Sequence, residues 1–107
     1  MILEGKKINF LGDSITEGVG ASSPDKVYHQ VMKREYRLAE ARNYGVSGTR
    51  IARQSVPLEE AWERDFCLRA AEMDRDADAV VVFGGTNDFG HGDAPIGLPS
   101  DRTPETF

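Results

Sequence analysis

The sequence predicts an α/β fold built on a parallel sheet, and three observations support this prediction. Apolar, β-branched stretches typical of buried strands lie at 7–11 and 79–83, and a weaker strand candidate lies between them at 39–44. Apolar residues at helical spacing fill both intervals between these strands. The order β-α-β-α-β requires crossover connections, so we expect parallel strands with helices on both faces of the sheet.

Length and composition restrict the class of protein. The 107 residues suffice for one small domain, which we assign to 1–107 as a whole. A net charge of −5 argues against non-specific binding of nucleic acid. No apolar run approaches the ~20 residues of a membrane helix. The polar start does not resemble a signal peptide, which favours the cytoplasm, although a signal peptide removed beforehand would leave the same sequence.

The single cysteine and the two histidines carry no predicted metal chemistry. Cys67 excludes an internal disulfide, and its place in a helical pattern predicts a buried filler. His29 falls off the apolar stripe of its helix, which predicts a solvated surface position. With one cysteine and two histidines in the chain, no metal cluster is apparent and no cofactor is implied.

The first strand ends in a tight turn that presents a serine. Gly12 permits a sharp exit from the strand, and Asp13, Ser14 and Thr16 favour a helix start. Free N–H groups at such a start favour developing negative charge, so Ser14 is the candidate nucleophile. The alternative is a plain strand–turn–helix with a capping serine. The nucleophile elbow of α/β-hydrolases does not fit, because Thr16 replaces its second glycine.

Two helices are predicted between the strands. Ser23 followed by Pro24 predicts the start of a helix over 24–38. The second helix is predicted over 57–73, where Trp62 lies on the apolar stripe and is interpreted as core rather than as a ligand platform.

The third strand at 79–83 is predicted to be buried on both faces, and a loop is predicted from Phe89 onward.

Three candidate site residues each follow a predicted strand. Ser14 follows the first strand, Gly48 the second and Asn87 the third. Ligands of parallel sheets bind at the edge where the carboxyl ends of the strands meet, so these residues are expected to converge there. The backbone N–H groups of Ser14 and Gly48 and the amide of Asn87 would supply three donors to an oxyanion. Taken singly, the Gly48 segment is better explained as an ordinary turn.

The order of three short blocks resembles the SGNH (GDSL-type) hydrolase family. The blocks are 12–16 (Gly-Asp-Ser-Ile-Thr), 45–48 (Gly-Val-Ser-Gly) and 85–88 (Gly-Thr-Asn-Asp). The resemblance implies a flavodoxin-like three-layer fold and hydrolysis of small-molecule esters. It implies that Ser14 is the nucleophile, that Gly48 and Asn87 complete the oxyanion hole, and that Asp13 organises the turn.

The chain departs from the family after the third block. The family's fourth block, Asp-x-x-His near the C-terminus, supplies the base and its orienting acid, and we identify no such block after Asn87. The chain therefore resembles the N-terminal half of the domain, truncated after the third strand. His91 is a hypothetical substitute base, and Asp13, Asp88 and His91 are assigned to the substrate-binding surroundings of the site. An uncovered third strand would favour self-association.

Two other functions remain open at the level of sequence. The first is a non-catalytic remnant, which is a small-molecule-binding, carbohydrate-binding or self-assembling module that keeps the oxyanion pocket without turnover. The second is a flavin-binding protein, which the sequence favours less because the first turn lacks a run of hydroxyl residues for a phosphate. An activated organophosphonate distinguishes enzyme from remnant, because only an activated Ser14 reacts rapidly with it.

Overall fold

A three-stranded parallel sheet forms the centre of the protein in the computed structural model, which describes residues 2–56 and 64–107. Strands β1 (Lys7–Gly12), β2 (Glu40–Gly45) and β3 (Ala79–Phe83) lie in the spatial order β2-β1-β3. Both neighbours of β1 pair with it in parallel. This arrangement confirms the predicted α/β fold and matches the first three strands of a flavodoxin-like sheet.

Four short helices are assigned in the described part of the chain. Their bounds are α1 (Ser14–Glu17), α2 (Tyr28–Tyr36), α3 (Phe66–Ala70) and α4 (Thr86–His91). The predicted helix over 24–38 is divided, because Val27 has extended dihedral angles between a 3₁₀ turn at Pro24–Lys26 and α2. Of the predicted helix over 57–73, residues 57–63, with Trp62, lie outside the described residues. Helix α4 replaces the start of the loop predicted from Phe89.

The main core lies between β1 and α2. Ile8 and Phe10 point to the same face of β1 and are 2% and 0% exposed. They pack with Tyr28 and Met32 of α2 and with Val81 of β3. Burial of one such large apolar side chain contributes ~1.5–3 kcal/mol, so this face fixes the sheet against α2. The position of the strand ends at the site depends on this packing.

Three sequence predictions about exposure are wrong. His29 is 2% exposed, because α1 covers the start of α2 and the backbone oxygen of Thr16 accepts a hydrogen bond of 2.9 Å from His29 Nε2. Cys67 is exposed at the first turn of α3, one position from the buried Phe66. In β3, Val80 and Val82 are 50% and 57% exposed, since the described residues cover mainly the face that carries Val81.

The helices in the described part of the chain are short. None of its helices combines the length and the apolar character that crossing a bilayer requires.

Candidate active site

The carboxyl ends of the three strands meet at one place. Gly12 at the end of β1 is in register with Gly45 of β2 and with Phe83 of β3. The backbone N–H of Val46 donates to the carbonyl of Gly12 at 3.1 Å, which ties the second loop to the first. The loops that follow these three ends carry the candidate residues, so they begin at a common edge of the sheet.

The turn after β1 is fixed by a buried carboxylate. Asp13 is 1% exposed, and its Oδ1 accepts a 2.9 Å hydrogen bond from the backbone N–H of Ile15. A Cβ at Gly12 would lie 2.0 Å from Thr16 Oγ1, so the close return of α1 over the strand end requires glycine there. Ser14 follows as the first residue of α1 and is partly exposed. The turn therefore leaves the Ser14 side chain partly accessible to solvent.

The loop after β2 is held against α1. A Cβ at Gly45 would lie 2.2 Å from the backbone nitrogen of Glu17, so the two elements are in backbone contact. The Glu17 carboxylate accepts a hydrogen bond from the Ser47 backbone N–H at 2.8 Å and another from the Ser47 hydroxyl. Gly48 follows with φ of 80°, a left-handed conformation that favours glycine. Two independent contacts thus fix the loop that carries Gly48.

Asn87 contacts that same loop from α4. Its Nδ2 donates to the backbone oxygen of Thr49 at 2.9 Å, one residue beyond Gly48. Its Oδ1 lies 3.1 Å from His91 Nε2. An amide nitrogen carries two hydrogens, so one N–H of Asn87 remains for another acceptor. The geometry brings the second and third blocks into direct contact.

The contacts of His91 define its tautomer. Arg50 Nη1 lies 3.1 Å from His91 Nδ1 and 3.2 Å from the His91 backbone oxygen. A guanidinium can only donate, so Nδ1 accepts and Nε2 carries the hydrogen that is donated to Asn87. Both ring nitrogens of His91 are thereby engaged, and in this arrangement the ring orients the amide of Asn87. The hypothesis that His91 acts as a base on Ser14 stays a prediction.

Asp88 binds the backbone of a neighbouring loop. Its two carboxylate oxygens accept hydrogen bonds from the backbone N–H groups of Ile51 at 2.9 Å and Ala52 at 3.0 Å. Asp88, the last residue of the third block, and His91 have the spacing Asp-x-x-His, so the expectation that no such spacing follows Asn87 is wrong. The structure gives this pair separate partners, Asp88 on the loop and His91 on Arg50 and Asn87. The predicted role of Asp88 in substrate binding stays a prediction.

Sequence reasoning missed two residues that hold the site together. Glu17 joins α1 to the Gly48 loop, as described above. Arg69 is 8% exposed and donates to the carbonyl of Gly12 at 3.1 Å and to Thr49 Oγ1 at 2.9 Å. The available signal was its position three residues after Phe66, on the buried face of the predicted helix.

Metal chemistry has no candidate ligand set in the described part of the chain. There, no group of three or more histidine, cysteine, aspartate or glutamate side chains is arranged to hold an ion.

Comparisons with known proteins bear on the family and the fold. The model of the GDSL-like Lipase/Acylhydrolase family matches residues 10–101. A structural-genomics target protein from Lactobacillus plantarum has a TM-score of 0.71 at 29% identity, covering 96% of this chain and 44% of its own. A second solved structure has a TM-score of 0.78 at 28% identity, covering 99% and 47%. The chain thus spans less than half the length of either solved relative. No curated protein sequence matches it significantly.

Proposed function

The chain belongs to the GDSL-like lipase/acylhydrolase family, and we propose that it carries the nucleophile and the oxyanion hole of a serine ester hydrolase. One observation carries this proposal. The three family blocks lie on loops that are hydrogen-bonded to one another at a single sheet edge, through Val46 to Gly12 and through Asn87 to Thr49. A hydrolase-type function is common to the family, and the residue assignments below are specific to this proposal.

In the proposed reaction, Ser14 Oγ attacks the carbonyl carbon of an ester. The oxyanion that forms accepts hydrogen bonds from the backbone N–H groups of Ser14 and Gly48 and from the second N–H of Asn87. A base removes the serine proton and transfers it to the leaving alkoxide as the carbon–oxygen bond breaks. Water then hydrolyses the acyl-enzyme and restores Ser14. The contacts of Asn87 with Thr49 and His91 support this role, because they hold its amide in one orientation.

The proposal assigns no base within these 107 residues. The chain has two histidines. His29 Nε2 is bonded to the Thr16 carbonyl and its Nδ1 lies 2.9 Å from Gln30 Nε2, while both nitrogens of His91 are engaged at Asn87 and Arg50. A serine hydroxyl without a base is a weak nucleophile at neutral pH. The oxyanion donors still favour addition to a strongly electrophilic probe, so we expect such a probe to label Ser14 of this chain, whereas ordinary esters are turned over slowly.

A fluorophosphonate probe tests the proposal. We expect mass spectrometry to find the adduct on Ser14, with labelling abolished in Ser14→Ala and retained in Ser22→Ala, which removes an exposed serine outside the site. The Asn87→Ala variant is expected to lose ~10²–10³ in labelling rate, the usual effect of removing one oxyanion donor.

Three results would contradict the proposal. Adducts distributed equally over several serines would show that Ser14 has no special reactivity. Labelling of Ser14 at a rate that does not depend on Asn87 would show that Asn87 is not an oxyanion donor. An inert Ser14 would favour the non-catalytic binding module, which retains the pocket without chemistry.

A further inference from the structure

Arg69 projects from α3 to the point where two strands end. Its Nη1 donates to the carbonyl of Gly12 at 3.1 Å, the last residue of β1. Its Nη2 donates to the carbonyl of Tyr44, near the end of β2. Its guanidinium carbon lies over the ring of Phe66, 5.2 Å from the ring centroid. One side chain thereby bridges the origins of the loops that carry Ser14 and Gly48.

A further contact of Arg69 reaches toward the oxyanion donors. Its Nη1 lies 2.9 Å from Thr49 Oγ1, and that hydroxyl lies 2.7 Å from the carbonyl of Val46, which it contacts as a donor. The backbone oxygen of the same threonine accepts the hydrogen bond from Asn87. Thr49 is 0% exposed, so no solvent competes for these groups. Arg69 is therefore two hydrogen bonds away from the amide proposed to bind the oxyanion.

Arg69 is buried, so its guanidinium must be held by hydrogen bonds in a fixed geometry. Burial lowers the pKa of its guanidinium, nearby Arg64 acts in the same direction, and the carboxylate of Asp13 opposes them. A buried cation is costly unless its donors are satisfied, so the three acceptors are needed to hold it in place. A planar guanidinium reaches acceptors in several fixed directions, whereas the ammonium of lysine is a single point on a flexible stem.

We propose that Arg69 is a positioning residue that locks the Gly48 loop and Asn87 against the turn that presents Ser14. This inference rests on the proposed function for its catalytic consequence. Arg69 itself contacts no part of a substrate in this scheme. It acts through Thr49 and through the carbonyls at the ends of β1 and β2.

Two readouts on the same variants test the inference. The variants are Arg69→Met, which removes the donors, and Arg69→Lys, which retains a charge but not the fork. The control is Arg75→Met, which removes an exposed arginine in the turn after α3. The first readout is amide hydrogen exchange of the segments 45–50 and 85–88, compared with that of the core strand β1. The second is the rate of Ser14 labelling by the fluorophosphonate probe.

We expect Arg69→Met to accelerate exchange in both loop segments, with β1 affected less, and to slow labelling by ~10²-fold, since small misplacements of reacting groups cost about that much. Arg69→Lys is expected to lie between Arg69→Met and the wild type, and it keeps the test valid if Arg69→Met does not fold. Arg75→Met is expected to match the wild type in both readouts.

The outcomes separate the inference from the proposed function. Unchanged exchange in the two loop segments of either variant overturns the inference, whatever the labelling shows. A uniform increase over the whole chain also overturns it, because Arg69 would then be a general stabiliser. If the loop segments change and labelling does not, Arg69 positions no reacting group and the inference fails. If wild-type Ser14 is inert while the loop segments respond, the proposed function fails and the positioning role stands.

Discussion

Gly45 shows how one missing side chain allows the site to form. A Cβ at this position would lie 2.2 Å from the nitrogen of Glu17 and 2.6 Å from the carbonyl carbon of Thr16, both of which are backbone atoms. Backbone cannot rotate away as the tip of a flexible side chain can. The first glycine of the second block is therefore required by the close approach of α1 to the end of β2, independently of any chemistry.

We predict that Gly45→Ala destabilises the protein by ~1–3 kcal/mol or more, the usual cost of overpacking, because α1 must move away from β2. The matched control is Gly90→Ala in α4, where a Cβ would meet nothing within 4 Å. That substitution is expected to be neutral or to stabilise by up to ~1 kcal/mol through helix propensity. Urea unfolding measures both, and equal stabilities of the two variants would contradict the steric account.

A second prediction concerns Tyr28 and alkaline pH. Burial raises the pKa of its phenol, the Thr16 hydrogen bond opposes this, and the charge of Asp13 adds to the increase. The folded protein therefore favours the neutral phenol. The stability that this contributes is fully present below the unfolded pKa of about 10 and is lost as the pH rises through the folded value.

Tyr28→Phe tests this pH dependence. At neutral pH we expect a loss of ~1 kcal/mol, because Thr16 Oγ1, bonded to the phenol at 2.8 Å, loses its partner. Above pH 10 the difference between wild type and variant should shrink, since the wild type alone has this phenol to ionise. Tyr36→Phe, at a 53% exposed site on α2, controls for the removal of a phenol in general. A difference that grows with pH would reverse the assigned sign.

At the scale of elements, the strands could be predicted from the sequence, whereas helix α4 could not. The apolar run at 79–83 predicts β3 with its observed bounds, because β-branched residues favour a strand through their own local conformational preference. Helix α4 contains Gly90 and was predicted as loop from Phe89 onward. It is held by tertiary hydrogen bonds, such as those from Ile51 and Ala52 to Asp88, which no local pattern contains.

The contact between α4 and the loop at residues 51–52 yields a third prediction. Asp88→Asn replaces one of the two acceptors for the amides of Ile51 and Ala52 by a donor, which leaves one partly buried N–H without its partner. We expect a loss of ~1–3 kcal/mol in the free energy of unfolding. Asp25→Asn, at an exposed site, is expected to lower the free energy of unfolding less than Asp88→Asn does. Denaturant unfolding of both variants distinguishes them, and equal losses would remove the structural role of Asp88.

At the scale of the whole molecule, the convergence of the blocks followed from topology alone. Parallel strands end at one edge, so the loops of Ser14, Gly48 and Asn87 had to begin near one another. The connections between those loops could not be predicted in the same way. Arg69 and Glu17 act across 57 and 30 residues of sequence, and a charged residue in a helix pattern is usually a solvated one.

The exposed side of β3 leads to the last prediction, which extends the sequence-based expectation of self-association. Within the described residues, β3 pairs with β1 on one edge and with no strand on the other. Its side chains Val80, Val82 and Phe83 are each about half exposed, at 50%, 57% and 46%. An apolar strand with an unpaired edge is a template for another copy of the chain. We therefore predict a dimer or larger species that grows with concentration in sedimentation velocity.

Val82→Lys should shift that equilibrium toward the monomer, because a charged side chain on an edge strand opposes pairing. The control is Val19→Lys, which introduces the same charge at a 67% exposed position in the turn after α1 and should leave association unchanged. If both variants dissociate alike, net charge and not the strand edge governs association. A wild-type chain that remains monomeric at every concentration contradicts the prediction, since the edge would then be protected by the twist and shortness of β3 itself.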